Sequence, residues 1–282
     1  MLRSSVRVLG ARDLEAAVDL CATDPVSHAF VSSRLVGGLL GEAGRAEVWG
    51  YHQAGDLVSL CWVGANMVPV AAHGEAADAF AARARQGPRR SSSLFGPRDD
   101  VLRLWAGLEG TWGPAREVRG EQPLMVCERA EVEPHPEVRR TRPTELDTLF
   151  PASVAMFTEE IGYSPLGIDG GAGYKAGVAE MVSLGRSFIL LEPGADGVPE
   201  VVFKAELGAV TGAVAQIQGV WVAPHRRGEG IAVPAVAAVV EAVRRDLGAR
   251  SSLYVNDYNQ RAIRVYERVG FVRHGCFATV LL

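Results

Sequence analysis

The sharpest pattern in the chain lies between residues 214 and 248. Gln216-Ile217-Gln218-Gly219-Val220-Trp221-Val222 alternates polar and apolar side chains before closing on an apolar cluster, which fits a strand over 214–222. Ala223-Pro224 stops it, because proline has no N–H to donate to a ladder. A short loop rich in arginine and glycine follows. Then Val236, Val239, Val240, Val243 and Leu247 recur on one face of a helix expected over 230–247. Arg244 and Arg245 favour its negative pole, and Gly248 supplies its stop.

The same two periods run through the rest of the chain. Strands are expected at 5–9, 47–52, 57–64, 92–95 and 123–127, and helices at 12–20, 26–40, 75–86 and 101–108. The stretch Glu128-Arg129-Ala130-Glu131-Val132-Glu133-Pro134-His135-Pro136 is acidic, holds two prolines and lacks an apolar period, so it divides the chain. Two domains are expected, over 1–130 and 137–282, in keeping with roughly 100–200 residues per domain. Beyond the divide a short strand at 138–141 precedes Pro143-Thr144-Glu145-Leu146-Asp147, which reads as a helix start. Helices are expected at 145–157, 174–184 and 260–269. Strands are expected at 187–192, 200–207 and 252–256, with one or two more over 271–281. This mixture makes the fold class α/β (α+β). The element order of the halves agrees. Ser92-Ser93-Leu94-Phe95 resembles Ser251-Ser252-Leu253-Tyr254, and after a two-residue gap Leu102-Arg103-Leu104-Trp105 resembles Ile263-Arg264-Val265-Tyr266. The match is short, and the shared order of elements is what favours a duplicated unit.

Charge and composition narrow the choice of partners. With 29 basic and 33 acidic residues the net charge is -4, so nothing draws the chain broadly to phosphate backbones or anionic lipids. Neither nucleic acid nor a membrane is expected as a partner. No run of about 18 apolar residues occurs, and Arg3, Arg7 and Arg12 interrupt the N-terminal stretch, so a soluble cytoplasmic protein is expected. Cys21, Cys61, Cys127 and Cys276 are far apart. They read as small apolar residues in a reducing compartment, with no metal and no disulfide framework expected. Lysine occurs twice, at Lys175 and Lys204.

The chemistry of the chain points to the loop Arg226-Arg227-Gly228-Glu229-Gly230-Ile231-Ala232, between strand and helix. The first N–H groups of a helix have no intrahelical partner. Glycines remove the Cβ atoms that hold a ligand away. A phosphate there meets donors and a positive dipole end together. The dipole contributes up to ~2 kcal/mol and each charge-assisted hydrogen bond roughly 1.5–3 kcal/mol, so several suffice for a diphosphate. The bland alternative is a solvated surface turn. A Rossmann fingerprint fails, because Val233 stands at the third glycine position, and no Walker lysine follows.

The run Val222-Ala223-Pro224-His225-Arg226-Arg227-Gly228-Glu229-Gly230-Ile231-Ala232 resembles the V-x-P-x-x-R-G-x-G-I-A setting of the coenzyme A pyrophosphate loop in the GNAT superfamily of N-acetyltransferases. A second family pattern, N-x-x-A-x-x-x-Y-x-x-x-G-F, is met by Asn259, Ala262, Tyr266, Gly270 and Phe271, in the right order after the loop. The resemblance covers roughly residues 138–282. Pro234 departs from it. Beyond the first turn a proline costs about 3 kcal/mol, so a late or irregular helix start is expected.

The resemblance implies acetyl-CoA as co-substrate and assigns roles along this segment. Val220, Trp221 and Val222 would pair with the pantetheine arm. Arg226, Arg227, Gly228, Gly230, Ile231 and Ala232 would take the pyrophosphate. Asn259 and Ala262 would line the thioester side, and Tyr266 would protonate the departing thiolate. A phenol can do this, although periodicity equally places Tyr266 on a buried face beside Ala262, Ile263 and Val269. The acceptor is an amine, and neutralising an alkyl ammonium of pKa ~10.4 at pH 7 costs about 4–5 kcal/mol. Glu206, in the apolar run 201–207, is the first candidate base, the alternative being an edge or solvent-facing carboxylate. Glu159 and Glu160 come next. With Phe157 and Tyr163 they suit one wall of a site for a cationic or amphipathic amine, or else form a solvated helix end. His225 is either a phosphate contact or an exposed loop histidine.

In the first half Val68-Pro69-Val70-Ala71-Ala72-His73-Gly74-Glu75 stands where an arginine-glycine loop would be needed, and Trp105 stands near the place of Tyr266. An indole is no comparable acid. The implied architecture is a tandem of GNAT-like mixed sheets flanked by helices, with the C-terminal copy intact and the N-terminal copy degenerate. It resembles two-module actinobacterial GNAT proteins with an N-terminal domain of unknown function. The implied activity is acetyl-CoA-dependent transfer to a primary amine of a small molecule or peptide by direct attack on the thioester, in a monomer or homodimer. The competing reading is a non-catalytic acyl-CoA sensor or regulatory module using the same loop. Tyr266 separates the two, since a sensor needs no acid for a leaving group.

Overall fold

The computed structural model describes residues 4–38, 46–168, 170–194 and 197–282. The chain forms two compact units. One comprises Met1–Met125, Tyr254–Gln260 and Arg273–Leu282, the other Val126–Leu253 and Arg261–Val272. The units are therefore not simply two consecutive stretches: the last strand of the chain packs with the first half.

In the N-terminal unit the elements are β1 (Ser4–Val8), α1 (Leu14–Ala22), α2 (Ala29–Val36), β2 (Glu47–Gln53), β3 (Asp56–Val63), β4 (Asn66–Val70), α3 (Glu75–Ala84), β5 (Ser93–Pro97), α4 (Arg98–Ala106), α5 (Glu109–Trp112) and β6 (Glu117–Cys127), together with β12 (Val272–Leu281). The strands lie in the order β1-β2-β3-β4-β5-β12-β6. Pairing is antiparallel from β1 to β4, parallel between β4 and β5, and antiparallel between β5 and β12. Both faces are buried. Phe80, Leu94 and Leu104 pack on one side, Leu35, Leu60 and Val70 on the other. The helix expected over 26–40 is shorter, and residues 39 and 40 lie outside the described ones. Strand β4 is hidden in the sequence by Pro69, which nevertheless pairs in register with Cys61.

The C-terminal unit contains β7 (Arg139–Arg140), α6 (Leu146–Ile161), α7 (Ala172–Ser183), β8 (Ser187–Pro193), β9 (Pro199–Val210), β10 (Val214–Val222), α8 (Ala232–Leu247), β11 (Arg250–Tyr254) and α9 (Gln260–Val269). Its strands follow the order β11-β10-β9-β8-β7, antiparallel except for the parallel pair β10 and β11. Leu149, Ala152, Val178, Val182, Ile189 and Trp221 form the core between the sheet and α6–α7. Along α8, Val236, Val239, Val240 and Val243 are buried as their spacing predicts, whereas Leu247, at the end of that face, is exposed. This helix starts two residues later than position 230, so Pro234 falls in its first turn. There its missing N–H has no intrahelical partner to lose.

Leaving out α5 and short 3-10 turns, β1-α1-α2-β2-β3-β4-α3-β5-α4-β6 repeats as β7-α6-α7-β8-β9-β10-α8-β11-α9-β12. The mixed α/β fold thus consists of two similarly ordered sets of elements. The four cysteines are free thiols. Burial alone pushes the Cys21 thiol up to about 12. Among the described residues no helix is long and apolar enough to cross a membrane.

Candidate active site

The site is built on an irregularity in β10. Gln218 pairs with Glu206 of β9 and Trp221 pairs with Lys204, so Gly219 and Val220 together oppose Ala205. This is a β-bulge, in which one extra residue bends the strand. Gly219 sits at φ +58, and a Cβ there would stand 3.2 Å from both Lys204 Nζ and Met156 Cε. Glycine is required on both counts. On its other side β10 pairs with β11 only over Val214–Gln216. Its continuation, which includes Val220, Trp221 and Val222, diverges from β11 with backbone groups left to pair.

The chain then makes a 3-10 turn over Pro224–Arg226. The Arg226 N–H donates to the Ala223 carbonyl at 2.9 Å and the Arg227 N–H to the Pro224 carbonyl at 3.3 Å. Gly228 and Gly230 lie at φ +92 and +83, and a Cβ on either meets nothing within 4 Å. Here glycine is dictated by backbone conformation, with open space above it. Ala235 donates the first α-helical bond, to the Ile231 carbonyl at 3.1 Å. Among the described residues the N–H groups of residues 228–233 make no backbone hydrogen bond. They form the donor row expected at a helix start.

The two arginines brace this loop. Arg226 pairs with Glu192 at 2.6 Å and with Glu229 at 2.8 Å. Arg227 donates to the Val222 carbonyl at 2.9 Å and to Glu159 at 2.7 Å. The other oxygen of Glu159 accepts from the Trp221 indole at 3.2 Å. One carboxylate at the end of α6 therefore ties the loop to the splayed strand. His225 is exposed, with its ring 3.1 Å from Glu200.

Below the bulge lies a group of ionisable side chains. Glu206 is buried on β9, which is an inner strand, so the edge or solvent-facing alternative does not hold. Its Oε1 lies 2.7 Å from Lys204 Nζ, which is itself fully buried. Lys204 also donates to the Gly219 carbonyl at 3.3 Å. Burial raises the Tyr174 phenol well above its ordinary range, and the charges of Glu206 and Glu160 add to the effect. Burial does the same for Tyr266, with Glu160 again contributing. Glu206, Glu160, Tyr174 and Tyr266 thus share one neighbourhood. Phe157 packs edge-on against Tyr163 and Tyr174, with centroids 5.7 and 5.2 Å apart.

Tyr266 is buried on α9 and packs edge-on against Phe271 at 5.8 Å. Its phenol keeps its proton far into the alkaline range, which suits a donor and excludes a phenolate base near neutrality. Ala262 lies on the same helix one turn earlier. Asn259 lies just before that helix, its N–H bonded to the Asn256 carbonyl at 2.9 Å, and it packs with the N-terminal unit. The sequence pattern singles out neither Lys204 nor Tyr174. A lysine two residues from Glu206 in an apolar strand, and so on the same face, was the available signal.

The corresponding turn of the N-terminal unit is closed from within. Asp100, at the start of α4 and buried, accepts the Ala72 N–H at 2.9 Å and holds His73 Nδ1 at 2.8 Å. Glu75 and Asp78 occupy the first turn of α3. Strand β4 pairs with β3 without any shift of register.

A splayed inner strand leading through a glycine loop into a helix N-terminus defines a GNAT-type fold. Comparison with known proteins agrees. The profile of the Acetyltransferase (GNAT) family matches residues 190–271, and that of DUF4081, a domain of unknown function, matches residues 46–149. The chain thus carries a GNAT acetyltransferase domain in its C-terminal half. No curated protein matches it. Among solved structures it is similar to a GCN5-related N-acetyltransferase from Sphaerobacter thermophilus (16% identity, TM-score 0.61, 98% of this chain and 94% of that chain). It is also similar to a GNAT-family acetyltransferase from Colwellia psychrerythraea (13%, 0.57, 99% of each). A third is a tandem GNAT protein from the clavulanic acid biosynthesis pathway (14%, 0.56, 98% of each). At these identities the likeness is one of fold, and it extends over both halves.

Proposed function

We propose that the C-terminal domain transfers an acetyl group from acetyl-CoA to a primary amine by direct attack on the thioester. The observation that carries this reading is the row of N–H groups at residues 228–233, which opens beside the diverging end of β10. The residues present fit the cofactor. Nothing within 4 Å obstructs the space above Gly228 and Gly230, and the head of α8 offers its dipole to a diphosphate. Arg227 can exchange Glu159 for a phosphate oxygen, since both are anionic acceptors.

When bound, acetyl-CoA supplies an activated acyl carbon and a thiolate leaving group. The edge of Val220–Val222 that does not pair with β11 orients the pantetheine arm. Glu206 accepts the proton that the acceptor ammonium must lose, a step costing about 4–5 kcal/mol at pH 7 for an ordinary alkyl amine. Tyr266 holds a proton for the departing sulfur. The neighbouring Glu160, with Phe157, Tyr163 and Tyr174, favours an acceptor that joins a cationic nitrogen to an apolar body. The N-terminal copy takes no coenzyme A, because the Asp100 carboxylate already occupies its loop donors.

Thiol release monitored across a panel of small and peptide amines tests the proposal. Turnover with at least one acceptor is expected. Coenzyme A binding with no thiol release from any acceptor would transfer the assignment to an acyl-CoA sensor.

A further inference from the structure

Lys204 has no part in the pattern that identifies the family, yet it sits at the centre of the site. A buried ammonium is costly unless it is both paired and hydrogen-bonded. Here the side chain is 0% exposed, and among the described residues its nitrogen reaches two acceptors: Glu206 Oε1 at 2.7 Å and the Gly219 carbonyl at 3.3 Å. The first is the candidate base. The second is the backbone of the residue that forms the bulge and diverts β10. On the same side, Met156 of α6 also closes over the bulge.

We infer that Lys204 is the positioning residue of this site, clamping the Glu206 carboxylate to the bulge carbonyl so that one cation fixes both the base and the diverging strand. The inference rests on the reading of Glu206 as the base. Lys204 acts through the two groups it holds, the Glu206 carboxylate and the bulge carbonyl. The groups around the clamp are Gln218 and Gly219 on β10, Ser187 opposite Glu206 on β8, Glu160 and Met156 on α6, Tyr174 on α7, and Tyr266 on α9. Among the groups named here, Lys204 supplies the positive charge that balances Glu206. Without Lys204, the buried carboxylate of Glu206 would lose its counter-charge, and the bulge carbonyl would lose its donor.

A double-substitution cycle tests the clamp. Lys204→Met keeps the length of the apolar stem and removes the charge. It should lower kcat about tenfold or more and weaken acetyl-CoA binding several-fold, and Lys204→Arg should restore part of both. In the Glu206→Gln background, the further change Lys204→Met should no longer lower kcat. A residue that merely supports the fold would lower it by the same factor in both backgrounds, which would overturn the inference. If the chain transfers to no amine, the proposed activity fails. The clamp is then judged by acetyl-CoA affinity, and an unchanged dissociation constant in Lys204→Met overturns it. Should Lys204→Met fail to fold, the double variant Lys204→Met/Glu206→Gln should fold and melt higher than Glu206→Gln alone, since the unpaired buried charge is gone. A double variant no better than Glu206→Gln rejects the pairing.

Discussion

The turn between β4 and α3 and the loop between β10 and α8 occupy the same place in two copies of one element order, and they handle the same physical problem differently. Each must satisfy the N–H groups at the head of a helix. In the N-terminal copy the chain supplies its own anion: Asp100 accepts the Ala72 N–H and fixes His73. Two further acids, Glu75 and Asp78, sit in the first turn of α3. The strand before it runs without a bulge. In the C-terminal copy, among the described residues, the N–H groups of residues 228–233 make no backbone hydrogen bond, the space above two glycines is open, and the strand is bulged. Self-satisfaction gives a closed structural turn. Leaving the donors open gives a place for a ligand's phosphates.

That contrast can be broken most forcefully at Gly230. Gly230→Asp puts a side chain at φ +83, where an L-residue is strained by about 1–2 kcal/mol, and sets a negative charge against the donor row. Combined with Arg227→Ala, it should raise the acetyl-CoA dissociation constant at least about 100-fold in calorimetry. Retained affinity would place the cofactor elsewhere. Next in size is Tyr266→Phe, which removes the buried proton donor and leaves the ring. Turnover should fall about 100-fold with affinity for acetyl-CoA little changed; normal turnover would leave Tyr266 as packing only.

The N-terminal turn gives a third and smaller test. Asp100→Ala strips the Ala72 N–H and His73 of their acceptor, at a cost of about 1–3 kcal/mol, read as a lower thermal midpoint. Acetyl-CoA affinity should not move. A loss of affinity would show that the copy is more than a closed scaffold. The smallest effect concerns alkaline pH. Because burial raises the Tyr266 phenol above its unfolded value near 10, the stability linked to it is fully present below pH 10 and is lost as pH rises beyond that. Tyr266→Phe should therefore flatten the fall of unfolding free energy above pH 10, measured by urea denaturation. An equally steep fall would assign the alkaline loss to other groups.

Much of this organisation is legible along the chain. The alternation at 216–222, the proline after it and the valine stripe of α8 each mark their own element, because period and breaker act locally. The helix face formed by Val236, Val239, Val240 and Val243 is buried as spacing requires. Where local signals conflict, tertiary context prevails. Pro69 argues against a strand, yet β4 forms between β3 and β5. Residues 271–281 follow the second domain in sequence, yet β12 pairs with β5 in the first unit. Strand partnership between distant segments leaves no local mark.

Local residue preferences set most helices and strands, the glycine loop at a helix start and the two family patterns, because each rests on neighbouring residues. Tertiary structure decided the rest. It turned Gly219 into a bulge by pairing it across β9, buried Lys204 against Glu206, directed Arg226 and Arg227 to carboxylates of β8, the loop and α6, and filled the N-terminal turn with Asp100. Apart from Lys204–Glu206 and Arg226–Glu229, those contacts join residues far apart in the chain, and a charge's role depends on which opposite charge the fold brings to it.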